Sequence, residues 1–492
     1  MDFEDVMEKI GFGKYNICLL LTCCLLIMGM YIDIFGVSVV LPYMTCDLSL
    51  TSSQQGLLSA IPLVGVMVSS YGWGLSADII GRKRTLVIAT PISVVFSIAA
   101  SLAPSFISFA VLKILSAGFS SSANAAGFVL VGESVPARYR SKCTFLTASS
   151  TLLVNFIISG LALPIFQMTL NVELLPAINL RYRPWRLLLQ IITLPAIIGC
   201  LGMFAIKESP KLLLSKGKEP SAIEVLQSMY ASNHGSKCLS VTSISLSESL
   251  TAATSSRDCS YIQTIWNQTA PLFKPPLLKN SVILYYILLC SFMTSTGFTM
   301  WMPTVINAYF SGDNNDGKTF CAVASTAVVS ANQTVECDNI VQPMTLYITM
   351  VNSGLTTILN IILTFLVGPL GKKTTTVLVL IVSIAAGILL LLVRQQLISI
   401  GLFFIFLFVV LVLGNINIYL VELNPTHLRG MATSLSVVVA RGFGFISVQI
   451  IGSLLQSHCT SMITGYIILI TSGLIVAFFL PQDKNKSQFG VS

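Results

Sequence analysis

Three ionisable residues fall inside long apolar stretches: Asp33, Lys113 and Arg441. A charge deep in a hydrocarbon-spanning segment costs several kcal/mol unless it meets a cavity or a partner, so each is a candidate for binding or switching. By helical rise Asp33 lies about 12 Å from the end of its apolar run at Leu41, and Lys113 about 10 Å from the start of its own. Their similar depth makes Asp33 and Lys113 a candidate pair. A carboxylate can take up a proton and a lysine can answer that change of charge, which is the chemistry of a protonation-linked or substrate-linked switch. Arg441 offers a guanidinium, which holds a carboxylate with two parallel hydrogen bonds. The competing reading is that the three charges only tie helices together, since polar pairs across membrane helices contribute about 1 kcal/mol and need bind nothing.

A second constellation is compact: Gly74-Leu-Ser-Ala-Asp78-Ile-Ile-Gly81-Arg82-Lys83-Arg84, caught between two apolar runs. Gly74 would let two helices approach closely, Gly81 would permit a tight reversal, and Asp78 is an acid at a helix end. The three bases stand where a span meets cytosol. A merely solvated basic loop would explain the bases but not the acid and the spaced glycines.

These residues need membrane helices to position them. The chain has 492 residues, 54% hydrophobic and only 10% charged, with a mean hydropathy of +0.83. Soluble domains carry about 25% charged residues, so this is a polytopic membrane protein, all-α in class. Spans of about 20 residues cross the hydrocarbon layer. About twelve are counted: Ile17–Leu41, Gly56–Leu75, Thr85–Ala103, Phe106–Gly132, Thr144–Gln167 and Arg186–Ile206, then Ser281–Phe310, Met344–Val367, Thr374–Val393, Ser399–Val421, Ala432–Leu455 and Met462–Leu480.

The expected organisation is a six-helix bundle over residues 1–206, a cytoplasmic linker over 207–280, a second bundle over 281–480 and a cytoplasmic tail over 481–492. With the N-terminus inside, about 21 of the 28 Lys and Arg fall on the cytoplasmic side and about 5 outside, as the positive-inside rule requires. The net charge of +8 is thereby explained by orientation, and no nucleic-acid partner is expected. An internal repeat supports the division: Glu133-x-x-Pro136-x-x-x-Arg140 recurs as Glu422-x-x-Pro425-x-x-x-Arg429, and Gly81-Arg82-Lys83 as Gly371-Lys372-Lys373. The second copy has Thr364 and Gly368 where the first has Gly74 and Asp78, so its acid is missing. Asp78, Arg82, Lys83, Glu133, Arg140, Glu208, Lys372, Glu422 and Arg429, with Gly74 and Gly81, are therefore expected to form an asymmetric cytoplasmic gate.

The Asp78 turn resembles the loop between helices two and three of the major facilitator superfamily, G-x-x-x-D-x-x-G-R-[KR]. Glu208-Ser209-Pro210-Lys211-Leu212 to Gly217-Lys218 resembles a segment shared by sugar porters, organic-ion transporters and the synaptic-vesicle glycoprotein group. Gly11-Phe-Gly-Lys14-Tyr15 and Ser70-Tyr71-Gly72-Trp73-Gly74 narrow the resemblance to that last group and its insect-type relatives. The resemblance implies twelve helices in two pseudo-symmetric bundles rocking about a central site. It implies transport of a small organic solute through the lipid bilayer by alternating access, with proton coupling open, as a monomer in the plasma membrane or a vesicle membrane. A transport-silent regulator or receptor and a sugar porter are the alternatives. Lys113 sits where the superfamily usually has an arginine. Arg441 matches a basic position of organic-anion carriers, which tilts the expectation toward an anionic or zwitterionic solute. Tyr31, Asn155, Trp301 and Asn417 could line the same cavity.

No enzyme is expected: the three histidines have no ligand-spaced partners, and neither G-x-S-x-G nor a P-loop is present. No metal and no cofactor are expected. Of the twelve cysteines, Cys46, Cys321, Cys337 and Cys459 fall in loops assigned to the outside, where disulfides persist. Cys321–Cys337 is the nearest pairing in sequence, and pairing with Cys46 or Cys459 stays open. Of two sequons, at Asn332 and Asn267, only Asn332 lies in an outside loop and should carry a glycan.

Overall fold

The structure is a computed structural model that describes residues 2–48, 50–175, 180–235, 244, 270–311, 317–325, 341–424 and 426–481. Asn267, Asn332, Cys337 and the side chains of Cys46, Glu422 and Arg429 lie outside the described residues.

Among the described residues twelve helical spans are long and apolar enough to cross a membrane, six up to Ala205 and six from Leu278. Helices are the outcome because a backbone in hydrocarbon must satisfy its own N–H and C=O groups. The chain divides into two compact units, Met1–Leu48 with Ile61–Cys259, and Ser49–Ala60 with Ser260–Ser492.

The first unit begins with a short helix, α1 (Phe3–Ile10), followed by α2 (Lys14–Asp47), the part from Ile61 of α3 (Ser52–Ile79), α4 (Arg82–Ser101), α5 (Phe106–Ser120), α6 (Ser122–Ser134), α7 (Ala137–Ser150) and α8 (Val154–Phe166). A two-stranded antiparallel hairpin, β1 (Val172–Leu175) and β2 (Leu180–Tyr182), leads into α9 (Pro184–Ile191) and α10 (Leu194–Ala205), then α11 (Pro210–Ser215) and α12 (Glu219–His234). The spans read from the sequence begin at Ile17, and α1 precedes them. Its Phe3, Val6, Met7 and Ile10 recur on one helical face and are fully buried. Asn233 of α12 pins it, donating to Ile10 O and Gly11 O and accepting from Tyr15 N.

Small residues draw α2 and α10 together. A Cβ added at Gly29 would press Ala196 Cβ at 2.8 Å, and one at Gly199 would press Leu26 at 2.9 Å. At the opposite end of α2, Asp47 holds the start of α9 through Arg183 at 3.1 Å and the Trp185 indole N–H at 3.2 Å. The buried Arg186 donates to the carbonyls of Ser101 and Ala103.

The second unit contains α13 (Leu278–Ser311), α14 (Phe320–Ala324), α15 (Pro343–Leu370), α16 (Lys372–Leu392), α17 (Gln396–Leu407), α18 (Val412–Leu423), α19 (Thr426–Leu454) and α20 (Cys459–Ala477). Its core is aromatic: Phe298 meets Phe403, Phe406 and Tyr466 edge to face. Cys321 is bridged to Cys459, with their Cα atoms 5.5 Å apart. This corrects the Cys321–Cys337 pairing, because α14 packs on α20 and so brings together cysteines 138 residues apart in sequence.

Candidate functional site

Asp33 and Lys113 meet as their depths require. Lys113 Nζ lies 2.5 Å from Asp33 Oδ1 in the interior of the first unit, with Lys113 fully buried and Asp33 8% exposed. Two hydroxyls complete the carboxylate: Ser97 donates to Oδ1 at 2.6 Å and Ser116 to Oδ2 at 2.8 Å. The ammonium also donates to the Asp33 carbonyl at 3.3 Å and to Ser97 Oγ at 3.4 Å. Thus α2, α4 and α5 are joined by one network in which each charge has several partners, the condition under which a buried pair is tolerated. Ser97 and Ser116 were not singled out in the sequence. They stand 19 residues apart, on neighbouring helices, and Ser116 lies about one helical turn from Lys113, which also meets the carboxylate. Beside Asp33 is a cavity of about 20 Å³, lined by Thr90, Ser93, Ser97, Ser120 and Thr193 among others. That is roomy enough for about one water, and the lining mixes these hydroxyls with Leu26, Met30 and Ile192.

The glycine-basic turn builds a second polar centre. Arg82, on the first turn of α4, reaches Asp78 Oδ1 and Glu133 Oε1, both at 3.0 Å. Glu133 Oε2 accepts from Ser209 Oγ at 2.5 Å. Glu208 accepts the backbone N–H groups of Lys83 at 3.0 Å and Arg84 at 3.4 Å, so its carboxylate closes the open N-terminal turn of α4. Gly81 has φ +129°, a conformation L side chains rarely adopt, and a Cβ there would run into the Glu208 carboxylate. Lys83 thus enters the cluster through its main chain.

Two gate assignments change. Apart from its own helix backbone and chain neighbours, nothing lies within 4 Å of a Cβ built at Gly74, so this glycine marks no close helix approach within its own unit. Arg140 pairs with Glu4 of α1, at 2.9 and 3.0 Å. Sequence offered no partner there because Glu4 is 136 residues distant.

In the second unit Gly371 repeats the left-handed turn with φ +86°. Lys372 lies over the Tyr419 ring, 5.6 Å from its centroid, and Lys373 donates to the carbonyls of Phe478 and Leu480. Arg441, midway along α19, is 5% exposed. Trp301 is buried and donates to Val448 O at 3.0 Å.

The model of the Major Facilitator Superfamily matches residues 23–449. The chain belongs to the Major Facilitator Superfamily. Human SVOPL is 31% identical over 229 residues, 46% of this chain and 42% of that protein. Rat synaptic vesicle glycoprotein 2B is 22% identical over 348 residues, 64% of this chain and 49% of that protein. The matched stretch is thus about half the length of these curated relatives. Among solved structures, the inward-open xylose transporter XylE from E. coli superposes with a TM-score of 0.66 at 13% identity, over 96% of this chain and 97% of that one. A partially occluded form of XylE gives 0.65 at 14% identity. At such identity the likeness is one of fold. This superfamily chain is therefore a multi-pass membrane protein of the transporter fold, with relatives in the synaptic-vesicle glycoprotein group.

Proposed function

We propose that the chain carries a small organic solute across the membrane by alternating access, with Asp33 as the group whose protonation or release drives the switch. The observation that carries this reading is the buried Lys113–Asp33 pair at 2.5 Å. A proton on Asp33 abolishes the attraction to Lys113 and leaves an ammonium in low dielectric, so the three helices that share the network gain a reason to shift. The solute is anionic or zwitterionic on this reading, because Arg441 is a buried base of the second unit and a guanidinium matches a carboxylate.

The termini are assigned to the cytoplasm. The Lys and Arg asymmetry supports this. So does the Cys321–Cys459 bridge, which lies a helix length from Gly371 and belongs in an oxidising compartment. The Arg82–Glu133–Glu208 cluster then acts as a cytoplasmic latch. Sugar carriage is the second reading, supported by the fold shared with a proton:xylose symporter.

The test is uptake by purified protein in liposomes, with and without a pH gradient, against organic anions, zwitterions, organic cations and D-xylose. Anion or zwitterion uptake that the gradient stimulates, and that Asp33→Asn abolishes, is expected. Uptake of D-xylose alone would replace the first reading by the second, and monodisperse protein that moves none of the four classes would overturn both.

A further inference from the structure

The helix α15 exposes apolar residues and buries polar ones: Val351, Leu355, Ile358 and Phe365 are exposed, whereas Thr345, Thr349, Asn352, Ser353 and Thr357 are buried. The buried five recur at helical spacing, so they form one stripe. Lipid accounts for the apolar face. A polar stripe inside a membrane span needs partners, and much of this one has them close at hand. Thr345 donates to Asn307 Oδ1 of α13 at 3.2 Å, Thr349 to Leu346 O at 2.9 Å and Thr357 to Ser353 O at 2.8 Å.

Asn352 is the exception. Its Nδ2 donates to Met302 Sδ of α13 at 3.4 Å, and a thioether is a weak acceptor. Its Oδ1 is buried and has no hydrogen-bond partner among the described residues. Turning the amide over does not help, because the sulfur can only accept and the NH2 would then be stranded. Asn352 lies nine residues into α15, about 14 Å by helical rise, near the middle of the ~30 Å hydrocarbon layer. A carbonyl oxygen left unpaired at that depth is destabilising, and a leucine of similar size would avoid the cost. Packing thus gives no reason for an amide here. A guest that donates a hydrogen bond does.

The charge of the guest group follows from its surroundings. The six spans of the second unit contain no Asp or Glu, so a buried ammonium would find no counter-charge on them. An uncharged O–H or N–H needs only the acceptor. We propose that Asn352 is a solute-binding residue whose Oδ1 accepts a hydrogen bond from an uncharged O–H or N–H of the carried solute. The inference rests on the transport reading and narrows it: the acid that Arg441 would hold also bears a hydroxyl or amide group. A site built to bond such a group rejects an analogue that lacks it, because its own polar atom is then left unpaired.

The test is uptake of D-gluconate, N-acetylglycine, hexanoate, 6-aminohexanoate and D-xylose by the full chain in liposomes, with thermal stabilisation of the purified protein by the same compounds as a second readout. Gluconate or N-acetylglycine should be carried in preference to hexanoate. Asn352→Leu should raise the apparent KM for the preferred acid about tenfold or more and leave any hexanoate uptake unchanged. It should melt no lower than the parent, which a merely structural amide would not allow. Asn352→Met stands in if the leucine variant elutes aggregated. An unmoved KM, or an equal loss for hexanoate, would overturn recognition by Asn352, and a loss confined to 6-aminohexanoate would overturn the uncharged group. If only D-xylose is carried, the acid of the transport reading fails, and Asn352 stands or falls with the KM for D-xylose. If nothing is carried, transport itself fails, and stabilisation that is absent from the parent or unchanged in the variant would overturn the Asn352 site as well.

Discussion

The Glu208 carboxylate accepts the backbone N–H of Lys83 at 3.0 Å, so the acid that follows the sixth span closes the helix that begins the third. Gly81 makes room for it. Glu208→Ala should lower stability by about 1 kcal/mol, the cost of a lost N-cap. Gly81→Ala should cost more, about 1–3 kcal/mol, since it forces a left-handed φ on a residue with a Cβ and displaces the acid. Thermal unfolding of the purified variants in detergent would measure both, and equal melting of Gly81→Ala and the parent would refute the fit.

Breaking the Lys113–Asp33 pair from one side leaves the other charge buried. Asp33→Leu should therefore destabilise by about 3–5 kcal/mol, while Asp33→Leu with Lys113→Met should recover most of that. Neither variant should show uptake that depends on a pH gradient. A double variant no more stable than the single one would mean that the charges do not act as a pair.

Arg441→Lys keeps the charge but loses the planar fork. The apparent KM for an anionic substrate should rise about tenfold, the worth of roughly 1.4 kcal/mol. Unaltered kinetics for an anion would remove Arg441 from recognition.

The Cys321–Cys459 bridge closes a loop of 138 residues, for which chain entropy predicts about 5 kcal/mol of stabilisation. Cys459→Ser should free one thiol to maleimide on intact cells and lower the unfolding temperature, whereas Cys337→Ser should leave the bridge intact by peptide mapping. Loss of the bridge on Cys337→Ser would restore the nearer pairing.

Orientation is tested by the sequons. Asn332→Gln should abolish a glycosidase-sensitive mobility shift and Asn267→Gln should not; the reverse would put the Gly81 turn outside the cell.

The spans were legible because hydrocarbon imposes one rule on every stretch of backbone, and a run of about 20 apolar residues satisfies it without reference to any other part of the chain. The Asp33–Lys113 pair was legible for a related reason: an unpaired charge at that depth is costly, and equal depth leaves few partners. Gly81 was readable because a glycine between two helix ends is a local matter of φ. Partner choice among surface-directed groups was decided only by the tertiary structure. Arg140 goes to Glu4, Glu208 to the amides of Lys83 and Arg84, and Cys321 to Cys459. Each of these depends on which helices pack side by side and on their rotation about their own axes. Hydropathy does not encode that arrangement, because lipid is as apolar as the helix faces it covers, and close packing and hydrogen bonding between helices set it instead.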